Sequence, residues 1–251
     1  MIKILLVGAC GKMGQNVAAC VSEDKDAQII CGVDAFKKEL SFPVLSDFNE
    51  VSVKPDVIID FSNVSALEGL LAYATRQGVP CVLATTGYSP EQIEKIKEAS
   101  KKIPVFFTAN MSLGVNLICS LAKKAAAFLG ADFDTEIIEK HHNQKLDAPS
   151  GTALMLANAI NSEFDDKYNY EYDRHSKRQK RPQNEIGIHS VRGGTIVGEH
   201  DVIFAGCDEV ITISHSAYSK QVFATGALKA AKFIYDKPVG LYDMNDILGI
   251  E

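Results

Sequence analysis

Apolar positions along this chain follow two successive rhythms. Up to residue 107, short unbroken apolar runs occur at 2–7, 28–33, 56–61, 80–84 and 104–107. Between them, apolar side chains recur at helical spacing: Met13, Val17, Ala18 and Val21 in 12–22, then Leu67, Leu70, Leu71 and Ala74 in 65–76. Ser89-Pro90-Glu91 opens a further helix with an N-cap serine, a proline in first position and an acid in the first turn. Strands without polar alternation suit a parallel sheet buried on both faces. Alternating with helices, they predict an α/β fold built on a Rossmann-like, doubly wound parallel sheet.

After about residue 113 the pattern changes. A helix over 115–128 leads to a strand-like run at 133–140, rich in Glu and Ile, then a polar loop and a helix over 152–161. Tyr168, Tyr170 and Tyr172 alternate as on one face of a strand, and 186–191, 201–204 and 209–214 read as strands of an antiparallel or mixed sheet. A last helix over 219–235 carries Val222, Phe223, Ala227, Ala230 and Phe233 on its apolar side. This half predicts a second, α+β domain, joined by a tight hinge near Met111.

Composition narrows the classes. A chain of 251 residues with 46% hydrophobic and 23% charged residues has ample material for a packed core. Lys+Arg 26 against Asp+Glu 32 leaves a net charge of −6, which argues against non-specific nucleic-acid binding. The basic residues Lys177, Arg178, Lys180 and Arg181 are too few to reverse that and read as a solvated or substrate-guiding loop. The six cysteines are scattered without metal-ligand spacing, so no metal site is predicted and a reducing, cytoplasmic setting is expected. The first apolar run is too short for a signal-peptide core. The longest uncharged stretch, 103–122, is broken by Pro104, Thr108, Asn110, Ser112, Gly114 and Asn116; it reads as strand, loop and helix start rather than a membrane span.

Two segments carry chemistry. Gly8-Ala9-Cys10-Gly11-Lys12-Met13-Gly14 follows the first strand and opens the first helix, where small residues and unpaired helix N–H groups suit a pyrophosphate. Asp34, ending the second strand 20 residues past Gly14, suits the adenosine ribose hydroxyls. A carboxylate there favours NADH, whereas Lys37 and Lys38 are placed to neutralise the 2′-phosphate of NADPH. The loops Thr85-Thr86-Gly87 and Ala109-Asn110-Met111 end later strands of the same sheet and should flank the nicotinamide. The second segment, Glu139 to Ala153, holds His141, His142 and Lys145 followed by Ser150-Gly151-Thr152 at a helix start: a proton-exchanging group, a cation and an anion cradle within a dozen residues.

These segments resemble the 4-hydroxy-tetrahydrodipicolinate reductases, long called dihydrodipicolinate reductases. The motifs are G-A-C-G-K-M-G, D-F-S at 60–62, A-T-T-G at 84–87, A-N-M-S at 109–112, E-K-H-H-N-Q-K-L-D-A-P-S-G-T-A at 139–153, V-R-G-G-T-I-V-G-E-H at 191–200 and G-L-Y-D-M-N-D-I-L at 240–248. The resemblance implies NADH- or NADPH-dependent reduction of a cyclic dicarboxylate imine, with loss of water, on the diaminopimelate route to lysine. It implies His141 as proton donor and Lys145 as a second donor, with His142, Ser150, Gly151 and Thr152 binding the substrate's carboxylates. Gly8, Ala9, Cys10, Gly11, Lys12, Met13, Asp34, Ala84, Thr85, Thr86, Thr108, Ala109, Asn110 and Met111 would line the cofactor site. It further implies a dinucleotide-binding domain of 1–112 plus 222–251, a substrate-binding and tetramerisation domain of 113–221, and a homotetramer. Lys12 stands where many members have Arg, Ala84 where Gly is frequent and Met111 where Phe is frequent; Ala35 stands where some members place an arginine for the 2′-phosphate. Another two-domain NAD(P)-dependent amino-acid dehydrogenase and a non-catalytic dinucleotide sensor are the competing readings; the second leaves His141, Lys145 and Ser150-Gly151-Thr152 together without a purpose.

Overall fold

In a computed structural model, which describes residues 1–36 and 38–249, the elements run in this order. β1 (Ile2–Val7), α1 (Lys12–Ser22), β2 (Ala27–Val33), β3 (Val44–Leu45), β4 (Val57–Asp60), α2 (Leu67–Gln77), β5 (Cys81–Leu83), α3 (Pro90–Ser100) and β6 (Pro104–Phe107) come first. Then come α4 (Leu113–Leu129), β7 (Asp134–His141), α5 (Gly151–Asn161), β8 (Asn169–Glu171), β9 (Glu185–Arg192), β10 (Gly198–Ala205) and β11 (Val210–Ala217). α6 (Gln221–Ile234), β12 (Gly240–Tyr242) and α7 (Met244–Leu248) close the chain. The chain divides into two units, Met1–Leu113 with Lys220–Glu251, and Gly114–Ser219.

The first unit holds a seven-stranded parallel sheet in the order β12-β6-β5-β4-β1-β2-β3. Alternate residues of its central strands feed two separate cores. Ile4 and Leu6 pack with Val17 of α1 and Ala227 of α6, while Leu5 and Val7 pack with Leu70 of α2 and Ile96 of α3. Burial on both faces is why these strands carry no polar alternation. The chain reverses direction between β1 and β4, so the crevice at the C-terminal ends of these strands is where this architecture binds ligands.

α6 buries Ala227 and Ala230 and packs Phe223 and Phe233 as predicted, leaves Val222 only partly buried, and widens the face with small residues. Its buried residues are Ala224, Gly226, Ala227, Leu228, Ala230, Ala231 and Ile234, with Phe223 and Phe233 packing from the flanks. Small side chains let the helix approach closely: a Cβ on Gly226 would stand 1.7 Å from the Met111 carbonyl oxygen. β3, β12 and α7 were not predicted. Lys37 lies outside the described residues.

The second unit holds a mixed sheet in the order β11-β10-β7-β9-β8, with β7 and β10 antiparallel and β7 and β9 parallel. β7 alternates strictly in burial; Thr135, Ile137, Glu139 and His141 face inwards. Ile137, Ile186, Ile188, Val202 and Phe204 pack with Ile118, Ala122 and Ala126 of α4 and with Leu156 and Ile160 of α5. With its following turn, Leu113–Asp132 is long and apolar enough by length and composition to cross a membrane, yet it supplies three side chains to this core and carries Lys123 and Lys124. Of the tyrosines, Tyr168 stacks on Phe164 at 4.2 Å and Tyr170 donates to Asn158 Oδ1 at 2.6 Å, while Tyr172 is exposed. The basic segment is not simply solvated. Arg181 binds Asp134 and Glu136 and donates to the Thr135 and Glu185 carbonyls, and Lys177 pairs with Glu171.

Candidate active site

In the first unit the glycine loop is set by close backbone contacts. Gly8 has φ +79°, and a Cβ there would lie 2.5 Å from the Phe61 carbonyl oxygen. A Cβ on Gly14 would lie 2.2 Å from the Gly8 carbonyl oxygen. No other residue type fits either position without displacing the strand–helix turn. Gly11 then caps α1 with no side chain over its first N–H groups.

Two cavities open at this edge of the sheet. One, of about 690 Å³, is lined by Gly8, Cys10, Gly11, Asp34, Ala35, Phe36, Ser62 and Asn63 among others. The Asp34 carboxylate accepts from Cys10 N at 2.8 Å and Phe36 N at 2.9 Å, one bond per oxygen. It therefore ties the glycine loop to the end of β2, and each oxygen keeps a lone pair for a ribose hydroxyl. The second cavity, about 430 Å³, brings together Met13, Ala84, Thr85, Thr86, Thr108, Ala109, Asn110 and Met111. The donors, the carboxylate and the bare helix start fit a dinucleotide.

Ala9 and Lys12 line neither cavity: Ala9 is fully buried in the core and Lys12 is exposed. Phe61, Ser62, Lys220 and Phe223 line the second cavity without having been nominated. Ser62 belongs to the D-F-S motif, and that was its only signal. Lys220 and Phe223 come from a segment more than a hundred residues away in sequence. Beneath, buried Asp60 accepts from Ser62 N at 3.0 Å, Ser62 Oγ at 2.5 Å and Tyr88 Oη at 3.2 Å. Burial pushes its pKa up against those hydrogen bonds.

In the second unit the site is built around a carboxylate that sequence reasoning did not single out. Glu139, fully buried on β7, accepts from His141 Nδ1 at 2.6 Å. Arg192 on β9 donates to it through both terminal nitrogens, at 2.8 and 2.7 Å, and Ser150 N donates at 3.1 Å. Arg192 also donates to the Asp147 carbonyl at 2.6 Å, across the loop from His141 to Ser150. Burial alone would raise the Glu139 pKa, but hydrogen bonds led by Arg192 hold it down at about 2, so the group is an anion. Burial lowers the His141 pKa, Glu139 opposes that, and Lys145 and Arg192 add to it.

Ser150 caps α5, its Oγ accepting from Ala153 N at 3.1 Å, and that Oγ lies 3.1 Å from His200 Nε2. Burial holds the His200 pKa at about 4, so at neutral pH the ring is uncharged. The His200 ring stands edge-on to His141, centroids 5.2 Å apart. Lys145 Nζ pairs with Asp147 at 2.9 Å, and its backbone N–H donates to the His142 carbonyl at 3.1 Å. Gly151 starts the helix, exposed, and Thr152 is half-buried in its first turn. His141, Lys145 and Ser150 are thus held by one hydrogen-bonded frame, an arrangement suited to gripping an anion and exchanging a proton.

Both units match known proteins in sequence and in fold. Residues 2–111 match the family model described as "Dihydrodipicolinate reductase, N-terminus" and 114–248 its C-terminal counterpart. A protein named 4-hydroxy-tetrahydrodipicolinate reductase from Caldanaerobacter subterraneus subsp. tengcongensis is 54% identical over 248 residues, covering 99% of this chain and 98% of its own. Its namesake from Clostridium tetani is 51% identical, covering 99% and 97%. Among solved structures, a dipicolinate-bound dihydrodipicolinate reductase from Paenisporosarcina sp. TG-14 aligns with a TM-score of 0.82 at 26% identity, over 99% of both chains. A diaminopimelate dehydrogenase from Corynebacterium glutamicum, at 12% identity, TM-score 0.56 and coverage of 97% and 92%, shares the fold alone.

Proposed function

The chain belongs to the dihydrodipicolinate reductase family, and from that premise we propose how its residues reduce 4-hydroxy-tetrahydrodipicolinate to tetrahydrodipicolinate. The first unit binds NADH or NADPH. When bound, the reduced nicotinamide supplies the hydride. Gly8, Cys10, Gly11 and the start of α1 hold the pyrophosphate, Asp34 takes the ribose, and Ala84 to Thr86 with Thr108 to Met111 take the nicotinamide end. Asp34, with Ala35 beside it in place of an arginine, favours NADH over NADPH.

The second unit binds the substrate. The Paenisporosarcina relative holds a planar ring dicarboxylate, and we assign the equivalent carboxylate grip here to the N–H groups of Gly151 and Thr152 with the hydroxyl of Ser150, His142 and Lys145. His141 Nε2 supplies the proton that completes the reduction. Lys145, held by Asp147 within the same frame, is a second donor and offsets substrate charge while the hydroxyl and a neighbouring ring proton depart together as water. The observation that carries this assignment is the Glu139 frame, which binds the proton donor and the serine of the anion cradle to one carboxylate.

The open face of the mixed sheet is proposed as the self-association surface of a homotetramer. It presents Ile138, Val191, Ile203 and Val210 beside the Lys140–Glu199 and Lys140–Asp201 pairs.

The decisive assay couples the upstream synthase to this protein and follows NADH and NADPH oxidation at equal concentrations. Consumption of NADH is expected to exceed that of NADPH. Consumption of neither overturns the reductase reading. A strong preference for NADPH overturns the weight placed on Asp34 and Ala35. Diaminopimelate and other amino acids, offered with NAD or NADP, are expected to give no reduction of the cofactor.

A further inference from the structure

The inward face of the mixed sheet is apolar along Ile137, Ile186, Ile188, Val202 and Phe204, yet it carries one fully buried carboxylate, Glu139. Replacing a buried ion pair by apolar residues of similar size is often neutral or stabilising, so stability alone is a weak reason for its presence there. Its geometry supplies one. Its oxygens are shared among several donors: Oε2 accepts from His141 Nδ1 and Arg192 Nη1, Oε1 from Arg192 Nη2 and Ser150 N, and the Ser190 side chain adds a further bond to the carboxylate. Arg192 and the Ser150 amide are donors only, and an ionised carboxylate accepts only. The His141 ring must therefore carry its proton on Nδ1 when neutral. The working nitrogen is then Nε2, on the side of Gly198, where a Cβ would crowd it at 3.0 Å.

We propose that Glu139 is a positioning residue that couples the two halves of the substrate site, fixing the His141 tautomer through Oε2 and the Ser150 backbone at the start of α5 through Oε1, with Arg192 holding the carboxylate between them. This rests on the roles proposed for His141 and for the α5 N-terminus. The same carboxylate sets the proton affinity of the ring. The charged and titratable groups facing His141 are Glu139 on its own strand, Arg192 on β9, His200 on β10 and Lys145, itself paired with Asp147, from the following loop. Among the described residues Glu139 is the one carboxylate hydrogen-bonded to the ring, and the neighbouring cations oppose imidazolium formation. Removing it lowers the pH at which His141 gives up its proton. A merely structural carboxylate predicts loss of stability without that change.

The test uses Glu139→Gln, Glu139→Asp and Arg192→Lys in the full chain. Glu139→Gln is expected to lower kcat by about tenfold or more, as loss of a histidine-orienting carboxylate does elsewhere, with the KM for NADH within about twofold because the nucleotide unit is untouched. The basic limb of its pH–kcat profile moves to lower pH. Glu139→Asp keeps the anion and recovers part of the loss, and Arg192→Lys gives an intermediate effect. Wild-type kcat and an unmoved basic limb in a folded Glu139→Gln protein overturn the proposal.

A second measurement needs no turnover. In ¹⁵N-histidine-labelled wild-type protein, with His141 assigned by its loss in His141→Gln, the neutral ring should show protonated Nδ1 and unprotonated Nε2. The Nε2–H tautomer overturns the proposal even if Glu139→Gln fails to fold. The spectrum stands whether or not the wild-type protein reduces the named substrate, so failure of the reductase reading and failure of this inference are told apart.

Discussion

His141 and Lys145 are held in different ways, and their substitution should read out differently. His141 is buried and buttressed by Glu139, whereas Lys145 is a partly exposed cation leaning on Asp147. His141→Gln is expected to lower kcat by about 10²- to 10⁴-fold, the usual range for a lost proton donor, with little change in NADH binding. Lys145→Ala is expected to raise the substrate KM as well, because it removes charge that both the ground state and the transition state use. Steady-state kinetics with NADH varied at saturating substrate, and the reverse, separate the two. His200 gives a prediction of a different kind. Its pKa is about 4 in the folded chain against an ordinary 6.5. Between those values the unfolded chain takes a proton that the folded one refuses, so stability is full above 6.5 and falls as pH falls towards 4. The ceiling on that loss is about 3 kcal/mol, with Glu139 adding a loss of the same sign below its ordinary 4.5. Urea midpoints at pH 7, 5.5 and 4 should decline, and less steeply in His200→Gln. Glu139 itself escaped notice in the sequence because a glutamate between Ile138 and Lys140 looks solvent-facing until the parity of the strand is known. Its partner Arg192 lies 53 residues away, a distance no local pattern bridges.

At the scale of elements, two positions join local geometry to the site. Ser150 caps α5 and touches His200, so Ser150→Ala is expected to cost about 1–2 kcal/mol in urea denaturation and to raise the substrate KM. Gly226→Ala forces α6 off the Met111 carbonyl and moves the loop that lines the second cavity. A loss of about 1–3 kcal/mol, the usual penalty for overpacking, and a raised KM for NADH are expected, read by thermal unfolding and initial rates. The sheet of the first unit was legible because doubly buried strands shed their polar alternation, and α3 because Ser89 and Pro90 mark its start; Gln92 completes the capping box. Edge strands of two or three residues, β3 and β12, are too short to show a period. The face of α6 was read in part, through Phe223, Ala227, Ala230 and Phe233; Ala224, Gly226 and Ala231 were missed because alanine and glycine give little hydrophobic contrast. The glycine loop was visible because it follows a strand and opens a helix, and the 139–153 segment because its residue types gather in one stretch that resembles a known family's signature. Lys220 and Phe223 were not, because only the fold brings them beside Thr85 and Met111.

At the scale of the molecule, the net charge of −6 coexists with sites proposed for a dinucleotide and a dicarboxylate. In the second unit the cations are not spread over a basic surface: Arg192, Lys145, Arg181 and Lys177 are each paired with a carboxylate. The proposed tetramer should sediment as one species of four times the 27.3 kDa chain mass, and Ile203→Lys should shift it to smaller species. The discontinuity of the first unit carries a consequence for biosynthesis. Ala224, Ala227, Ala230, Ala231 and Ile234 of α6 complete a core begun by Ile4, Leu6 and Val17. When the ribosome has delivered the first hundred residues, the face of β4 and β5 that will receive α6 is still bare. The intervening unit, contiguous in sequence, has all its strands and helices before α6 is translated. The inserted unit is therefore free to fold first, and the nascent nucleotide-binding half must be kept from aggregating until its own last helix arrives.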